Sequence, residues 1–121
     1  MTLEEKISVV VNAIDSKKGN DIKILKITDL SIIADCFVIA SASNTTQVKA
    51  IADEVEYKLK ENGVSSDRIE GYQSASWILL DYKDVVVHIF YEPTREFYSL
   101  ERLWQDSAQI DASEFLEKGD K

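Results

Sequence analysis

Two apolar runs of strand-forming residues, SWILLD and VVVHIFY, stand only three residues apart between Ser76 and Tyr91. Both runs are rich in β-branched and aromatic side chains, which favour the extended conformation. So short a connection cannot return the second run parallel to the first, because a parallel pair needs a crossover of about a dozen residues or more. The stretch therefore predicts an antiparallel β-hairpin with Tyr82 and Lys83 in a two-residue turn.

This hairpin sorts its side chains into two chemically different faces. In the register set by the turn, Trp77 lies opposite His88 and Leu79 lies opposite Val86. One face is wholly aliphatic and is predicted to belong to the core: Ile78, Leu80, Val85, Val87 and Ile89. The other face combines an apolar centre with polar members at its edge: Trp77, Leu79, Asp81, Asp84, Val86, His88 and Phe90.

The mixed face of the hairpin is open to two interpretations. Aromatic anchors inside a polar margin are typical of a protein-binding surface. Alternatively, helices cover both faces of the sheet, and His88, the single histidine of the chain, is a hydrogen-bonded core residue. The residues by themselves favour the two interpretations almost equally.

Hydrophobic spacing and capping residues predict the elements of the N-terminal third. Apolar residues recur at helical spacing from Leu3 to Ile14, after a capping box formed by Thr2 and Glu5. DIKILKIT then predicts a strand. The continuous apolar run CFVIAS predicts a central strand that is covered on both faces.

A long second helix is predicted between Asn44 and Asn62. Asn44 can cap its first turn, and the side chain of Gln47 can reach back to the cap. Its buried stripe is predicted to be Val48, Ile51, Ala52, Val55 and Leu59. DRIEGY predicts a small strand and turn, Pro93 ends the second hairpin strand, and Ser99 is predicted to cap a short final helix.

This order of elements indicates an α+β fold, an α/β sandwich with a mixed sheet of about five strands and flanking helices. The strand–helix–strand unit favours a parallel pair, and the hairpin adds an antiparallel one. A chain of 121 residues with 45% apolar content suits one domain. We place that domain at residues 1–105 and expect residues 106–121, which are polar and acidic, to form a flexible tail.

Net charge limits the partners that the chain can bind. It carries 22 acidic and 14 basic residues, and the resulting charge of −8 repels nucleic acid phosphates. A basic protein is the better partner, although an acidic surface also serves solubility alone. No apolar run approaches the roughly 20 residues of a membrane span, and the acidic N-terminus MTLEEKIS is unlike a signal peptide. We expect a cytoplasmic protein with no membrane contact.

The sequence contains no motif typical of a phosphate-binding or metal-binding site. ASASNTT could present a helix N-terminus to a phosphate, but it lacks the glycine pattern of a nucleotide-binding loop. Asp67 and Glu70 are three positions apart and therefore point to opposite faces of a strand. Asp81 and Asp84 flank a turn, where aspartate is common for local hydrogen bonding. We expect neither a metal nor a cofactor.

A nucleophilic site would need a base beside an activated side chain. His88 is the single histidine that could serve as that base, and no GxSxG motif accompanies it. Cys36 lies inside an apolar run and is predicted to be a buried core residue. A catalytic role for His88 is kept only as a minor alternative, and no catalytic residue is expected.

Three strings in the chain closely resemble the ribosomal silencing factor family, also called RsfS or Iojap: DCFVIASASNTTQVKAIADEV, EGYQSASWILLDYKDVVVHIF and REFYSLERLW. The resemblance runs from the first helix to Trp104, and the combined pattern is highly specific. It implies a nucleotidyltransferase-like fold that lacks the catalytic carboxylates. It also implies a translational repressor that binds the large ribosomal subunit through its fourteenth protein, blocks joining of the small subunit and acts when nutrients are limited.

The residues that match the family's signature supply candidates for the contact with the partner: Glu70, Trp77, Leu79, Asp81, His88, Arg95 and Tyr98. Leu103 and Trp104 are expected to pack inside the protein instead. Ala42 and Lys83 stand where relatives usually carry glycine. We therefore expect Lys83 to adopt a left-handed or otherwise glycine-like backbone conformation.

The mechanism that the resemblance implies is steric occlusion without chemistry. Its partner is a basic ribosomal protein, with little direct contact to RNA. The alternative from another class is a residual nucleotide-binding or nucleotidyltransferase-type enzyme. When no ribosome is present, a homodimer through the mixed hairpin face is a further expectation.

Overall fold

The computed structural model describes residues 1–28, 34–103 and 107–116, built around one six-stranded sheet. The strands are β1 (Asn20–Lys26), β2 (Cys36–Ala42), β3 (Arg68–Glu70), β4 (Trp77–Asp81), β5 (Val85–Tyr91) and β6 (Ala108–Ile110). The helices are α1 (Leu3–Ser16), α2 (Thr45–Glu61), α3 (Glu92–Tyr98) and α4 (Leu100–Leu103), and a 3₁₀ turn covers Ala112–Glu114. Over these ranges, no helix has the length and apolar character needed to cross a membrane.

The sheet is mixed, as predicted. Its strand order is β3-β4-β5-β2-β1-β6, with β2 and β5 parallel and the other neighbouring pairs antiparallel. All seven residues of β2 are buried, which confirms a central strand covered on both faces. The sixth strand exceeds the predicted number of about five because residues 108–110 pair with the edge of β1.

Part of the segment predicted to be a flexible tail belongs to the fold. Strand β6 pairs with β1, with Ile110 opposite Ile24. The Nδ2 of Asn12 donates a hydrogen bond of 2.8 Å to the carbonyl of Phe115, and Phe115 and Leu116 pack against the larger of two hydrophobic cores, which lies between the sheet and helices α1 and α2. The ordered structure therefore continues past residue 105, because these apolar side chains gain burial against α1 and β1.

Helices α1 and α2 cover one face of the sheet and bury the larger core. The capping box of α1 is present, with Thr2 Oγ1 accepting from the Glu5 N–H at 3.1 Å and Glu5 Oε1 accepting from the Thr2 N–H at 2.8 Å. The α2 helix buries the predicted stripe: Val48, Ile51, Ala52, Val55 and Leu59. The aliphatic face of the hairpin lies in the same core, as predicted: Ile78, Leu80, Val85, Val87 and Ile89.

Only one of the two hydrogen bonds predicted for the N-terminal cap of α2 forms. Asn44 Oδ1 accepts a hydrogen bond of 2.8 Å from the Gln47 N–H, as expected. The Gln47 side chain does not return to the cap, because its Nε2 donates to the carbonyls of Lys17 and Lys18, each at 3.1 Å. Carbonyls at the end of a helix lack helical partners, so these two bonds satisfy the carbonyls that follow α1 and join the two helices.

The hairpin forms, but its predicted register is wrong by two residues. Trp77 lies opposite Phe90, and Leu79 lies opposite His88. Side chains alternate between faces with a period of two, so a shift of two residues leaves every side chain on its predicted face. The assignment of faces is therefore confirmed for β4 and β5 although the partners across the hairpin change. Asp84 is the exception, because it lies in the turn and pairs with Lys6 of α1 on the other side of the sheet from the mixed face.

Burial of Tyr82 explains the different register. Tyr82 is buried in the larger core on the same face as Leu80, so hydrogen bonding across the hairpin continues to Tyr82, one residue past the end of β4. The Tyr82 N–H donates to the Val85 carbonyl at 2.9 Å, and the Asp84 N–H donates to the Tyr82 carbonyl at 3.0 Å. The second of these bonds spans two residues and makes Lys83 the centre of a γ-turn.

Lys83 has a φ of +73°, which confirms the predicted left-handed or otherwise glycine-like backbone. Ala42, the other position where relatives usually carry glycine, is a buried residue of β2 opposite Tyr91 and is not among the described residues with positive φ. Of the two positions, therefore, only Lys83 has a backbone conformation that glycine would adopt with less strain.

Replacing Lys83 with glycine should stabilise the protein by up to about 1 kcal/mol, because glycine adopts a positive φ without a Cβ clash. Urea unfolding curves measure the change. Lys83→Ala is the control, since it removes the charged side chain, keeps the Cβ and should leave the free energy of unfolding nearly unchanged. Equal stability of Lys83→Gly and Lys83→Ala would contradict backbone strain at this turn.

The chain after β5 forms two helices: α4 begins at Leu100, where a short helix after Ser99 was predicted, and α3 is additional. Pro93 lies in the first turn of α3, where its missing N–H costs nothing, so it begins a helix as well as ending the strand. Ser99 ends α3 in a left-handed conformation, and its Oγ donates to the Glu96 carbonyl at 2.8 Å. Trp104 and the side chain of Leu103 lie outside the described part of the chain, so their packing stays a prediction.

Candidate functional site

The mixed face of the hairpin lies on the side of the sheet opposite α1 and α2. Backbone pairing aligns Glu70, Leu79 and His88 in one row across β3, β4 and β5. A smaller core forms on this side: Leu25, Ile27, Ala34, Phe37, Ile39, Val86, Phe90 and Leu100. Burial decreases towards β3, whose three residues are all exposed. The face is therefore closed over the central strands and open at the β3–β4 edge.

Five of the seven predicted contact residues keep exposed or half-buried side chains on this side of the sheet, and we call them the hairpin face: Glu70, Trp77, Leu79, Asp81 and Tyr98. Tyr98 comes from α3, and its ring centroid lies 5.1 Å from that of Trp77. The other two predicted residues, His88 and Arg95, are buried. Both earlier interpretations thus apply in part, because the same face holds a small core and an open aromatic edge.

Trp77 is the centre of the hairpin face and is half-buried. Its ring stacks on Phe90 with centroids 4.8 Å apart and an interplanar angle of 29°. Its indole N–H donates a hydrogen bond of 3.1 Å to Nδ1 of His88. The smaller core therefore holds the indole in place while part of the side chain remains accessible at the surface.

His88 lies beneath the hairpin face, with 4% of its surface exposed, which does not fit the direct contact predicted from the sequence. Because an indole N–H can only donate, Nδ1 is the acceptor and the ring proton sits on Nε2. Nε2 is buried and has no hydrogen-bond partner among the described residues. Burial lowers the pKa of His88 to about 4, so the ring is neutral at pH 7.

The buried state of His88 predicts a loss of stability in mild acid. Between the ordinary pKa of 6.5 and the folded-state pKa of about 4, the unfolded chain binds a proton that the folded chain excludes. Stability should therefore fall as the pH is lowered through this window. His88→Gln, which cannot titrate, should lack this component, so the difference in unfolding free energy between wild type and variant should change in urea titrations at pH 7, 5.5 and 4.5. A difference that stays constant with pH would contradict a neutral buried imidazole.

Arg95 also lies inside the protein rather than on the hairpin face, with 7% of its surface exposed. Its Nη1 donates to Ser41 Oγ at 3.1 Å, and its Nη2 lies 3.6 Å from Asp21 Oδ2. These contacts hold α3 against β1 and β2. Arg95 therefore supports the position of Tyr98, which follows three residues later on the same helix.

Charged groups border the apolar centre at the β3 edge. Arg68 lies between the two acidic members of the hairpin face, with its Nη1 3.3 Å from Glu70 Oε2 and its Nε 3.4 Å from Asp81 Oδ2. Asp81 Oδ1 also accepts the Lys83 N–H at 2.8 Å. Asp81 thus has the turn-stabilising role that its position predicts, and it contributes charge at the rim.

The carboxylate and thiol groups of the described residues do not converge on a reaction centre. Asp84 pairs with Lys6 of α1 at 2.9 Å, on the opposite side of the sheet from Asp81. Cys36 is buried in the larger core, and burial raises its pKa to about 12, whereas His88 faces the other side. Across the described ranges, His, Cys, Asp and Glu form no group of three or more that could hold a metal ion.

Phe97 is a surface residue that the sequence analysis missed. It is 81% exposed, and its ring meets that of Tyr98 edge-on at 5.1 Å. Its exposure depends on α3, which was not predicted as a separate helix. Pro93 preceded by Glu92 is the sequence signal for that helix start, because proline is common in a first helical turn.

Comparison with known proteins points to one family. Residues 1–121 match the sequence profile of the family described as "Ribosomal silencing factor during starvation". The chain is 40% identical over 111 residues to Ribosomal silencing factor RsfS of Halalkalibacterium halodurans, which covers 92% of this chain and 95% of that protein. It is 29% identical over 101 residues to mouse "Mitochondrial assembly of ribosomal large subunit protein 1", covering 81% of this chain and 44% of the mouse protein.

Solved structures agree with the sequence comparisons. The fold superposes on a crystal structure from Chromobacterium violaceum with a TM-score of 0.85 and 36% identity, covering 87% of this chain and 88% of that one. A crystal structure from Bacillus halodurans gives a TM-score of 0.79 at 37% identity, covering 88% of this chain and 97% of that one. With 36% and 37% identical residues, the two crystal structures resemble this chain in sequence as well as in fold.

Proposed function

The chain belongs to the ribosomal silencing factor family, and from this membership we propose that it represses translation by binding the large ribosomal subunit. The contact is with the fourteenth protein of that subunit and sterically blocks joining of the small subunit, chiefly when nutrients are limited. The choice of subunit is supported by the mouse relative, which is named for assembly of the large ribosomal subunit.

The observation that carries the proposal is the half-buried Trp77 at the centre of an apolar surface with charged edges. Binding energy at protein interfaces concentrates in a few such aromatic anchors, which polar neighbours surround. We place the contact on the hairpin face, with His88 and Arg95 acting from beneath it. His88 holds the indole N–H of Trp77, and Arg95 holds the helix that carries Tyr98.

Charge favours a protein partner on the ribosome. The net charge of −8 repels ribosomal RNA, whereas ribosomal proteins are basic. An acidic chain is therefore steered towards a basic protein surface and away from the RNA around it. We infer little direct contact with RNA and expect binding to weaken as salt screens this attraction.

The proposed mechanism contains no chemical step. Asp81 stabilises the hairpin turn and Asp84 pairs with Lys6, so these carboxylates have structural roles in place of a shared metal. A thermal-shift screen with nucleotides and divalent cations tests this point, because a ligand that binds only the folded state raises the melting temperature. A specific nucleotide-dependent shift, together with turnover of that nucleotide, would favour the residual transferase instead.

Two further parts of the proposal concern the chain away from the ribosome. We place it in the cytoplasm, where its partner functions. We also propose that the hairpin face mediates a homodimer when no large subunit is present, because a second copy would cover the same apolar centre. Light scattering with and without large subunits tests the second point.

Cosedimentation with purified large subunits is the most direct experiment. The protein should pellet with large subunits, should pellet far less with small subunits, and should reduce formation of the joined ribosome when added before the small subunit. Binding without any effect on joining would contradict the occlusion mechanism. Absence of binding at micromolar concentration would contradict the proposed function itself.

A further inference from the structure

Phe97 presents a large apolar side chain to solvent in a position where the fold gains little from it. With 81% of its surface exposed, it is the most exposed of the large apolar side chains in the described ranges. A single exposed phenylalanine is common on protein surfaces. What distinguishes Phe97 is its continuity with other rings.

Three aromatic rings extend from the hairpin onto α3. Trp77 contacts Tyr98 at 5.1 Å, and Tyr98 contacts Phe97 at 5.1 Å in an edge-on arrangement. Exposure rises along this series, from the half-buried Trp77 to Tyr98 at 51% and Phe97 at 81%. Aromatic rings at such distances pack favourably, so the three side chains form one apolar ridge.

Charged side chains of both signs lie near the C-terminal end of α3, where the exposed Arg102 of α4 lines a surface cavity together with Glu96 and Ser99. Glu92 and Glu96 are the acidic residues of α3, and Glu96 is exposed. The basic residue of the helix, Arg95, is turned inward to Ser41 and Asp21, so its charge is used within the protein. Because the chain as a whole carries a net charge of −8, an apolar ridge on its surface suits a basic protein surface better than phosphate.

We propose that Phe97 is a second anchor of the interface, extending the hairpin face onto α3 and inserting into an apolar pocket bordered by basic residues on the ribosomal protein. This inference rests on the proposed function. Its physical basis is that a ring already ordered by a neighbouring ring loses little conformational freedom on binding. The burial of so exposed a ring by a partner is a large apolar gain.

Phe97→Ala tests the inference cleanly, because truncation of a side chain this exposed should leave the melting temperature unchanged. Its affinity for purified large subunits, measured by quantitative cosedimentation, should fall at least about tenfold. Phe97→Leu should lose less, since it keeps an apolar side chain. Tyr57→Ala is the matched control: Tyr57 is 56% exposed but lies on α2, away from the hairpin face, and its loss should leave the affinity unchanged.

The outcomes separate this inference from the proposed function. If wild type binds large subunits and Phe97→Ala binds equally well, the interface ends at Tyr98 and Phe97 is no anchor. If light scattering shows that Phe97→Ala converts a homodimer to monomers while its affinity for large subunits is unchanged, Phe97 contacts a second copy of the chain. The inference is then wrong. If naked large-subunit RNA binds in a Phe97-dependent way, the partner is RNA and the inference is also wrong. Failure of wild type to bind at all removes the proposed function as well.

Discussion

Trp77→Ala is expected to weaken binding to the large subunit by at least about 2 kcal/mol, roughly thirtyfold, since it removes the central anchor of the hairpin face. The same change also affects the fold, because the indole stacks on Phe90 and donates to His88. We therefore expect a lower melting temperature alongside the lost affinity. Cosedimentation and melting curves recorded on the same preparation measure both.

Trp77→Phe separates the two effects of that substitution. It keeps a ring that can stack on Phe90 but removes the hydrogen bond to Nδ1 of His88. We expect it to melt above Trp77→Ala and to recover part of the affinity. A folded Trp77→Ala that still binds and still blocks subunit joining would exclude Trp77 from the interface. The contact would then be sought around Asp81 and Tyr98, which the structure leaves accessible.

Gly71→Ala is expected to destabilise the protein by about 4 kcal/mol. Gly71 has a φ of +78°, where a Cβ costs about 1 to 2 kcal/mol. A methyl group there would also overlap the carbonyl oxygen of Trp77, which is backbone and cannot move aside without displacing the start of β4. Overpacking of this kind typically costs about 1 to 3 kcal/mol or more. Urea unfolding measures the total.

Gly63→Ala is the matched control for Gly71→Ala. Gly63 has nearly the same φ, +79°, but no atom lies within 4 Å of the position that its Cβ would take. Its substitution should therefore show the backbone cost alone, about 1 to 2 kcal/mol. Equal losses from the two variants would mean that the carbonyl of Trp77 does not crowd Gly71. Because the displaced residue is Trp77, Gly71→Ala should also bind large subunits more weakly, whereas Gly63→Ala should not.

Capping and periodicity predicted most of the secondary structure correctly because they depend on residues close together in the chain. The capping box of Thr2 and Glu5 and the buried stripe of α2 are cases in which neighbours within one helix decide the outcome. Helix α4 lies where a short helix after Ser99 was predicted, but α3 was missed, because Pro93 was interpreted only as the end of a strand although proline also suits a first helical turn. Strand β6 was missed because three residues in an acidic segment carry too weak a pattern to predict a strand.

Local pattern was enough to assign the residues of β4 and β5 to the two sides of the sheet, because side chains alternate strictly along a strand and a register error of two residues preserves that alternation. It failed for Asp84, which lies in the turn, where strict alternation does not hold. Which residues of the mixed face are accessible depends instead on contacts between distant parts of the chain. His88 is enclosed by rings from other strands, including Phe37 of β2, and Arg95 is drawn inward by Ser41 and Asp21. These partners lie more than 50 positions away along the chain, and local spacing carries no information about such contacts. Exposure of Trp77, Tyr98 and Phe97 likewise follows from where α3 packs on the sheet, a result of the whole fold rather than of any one segment.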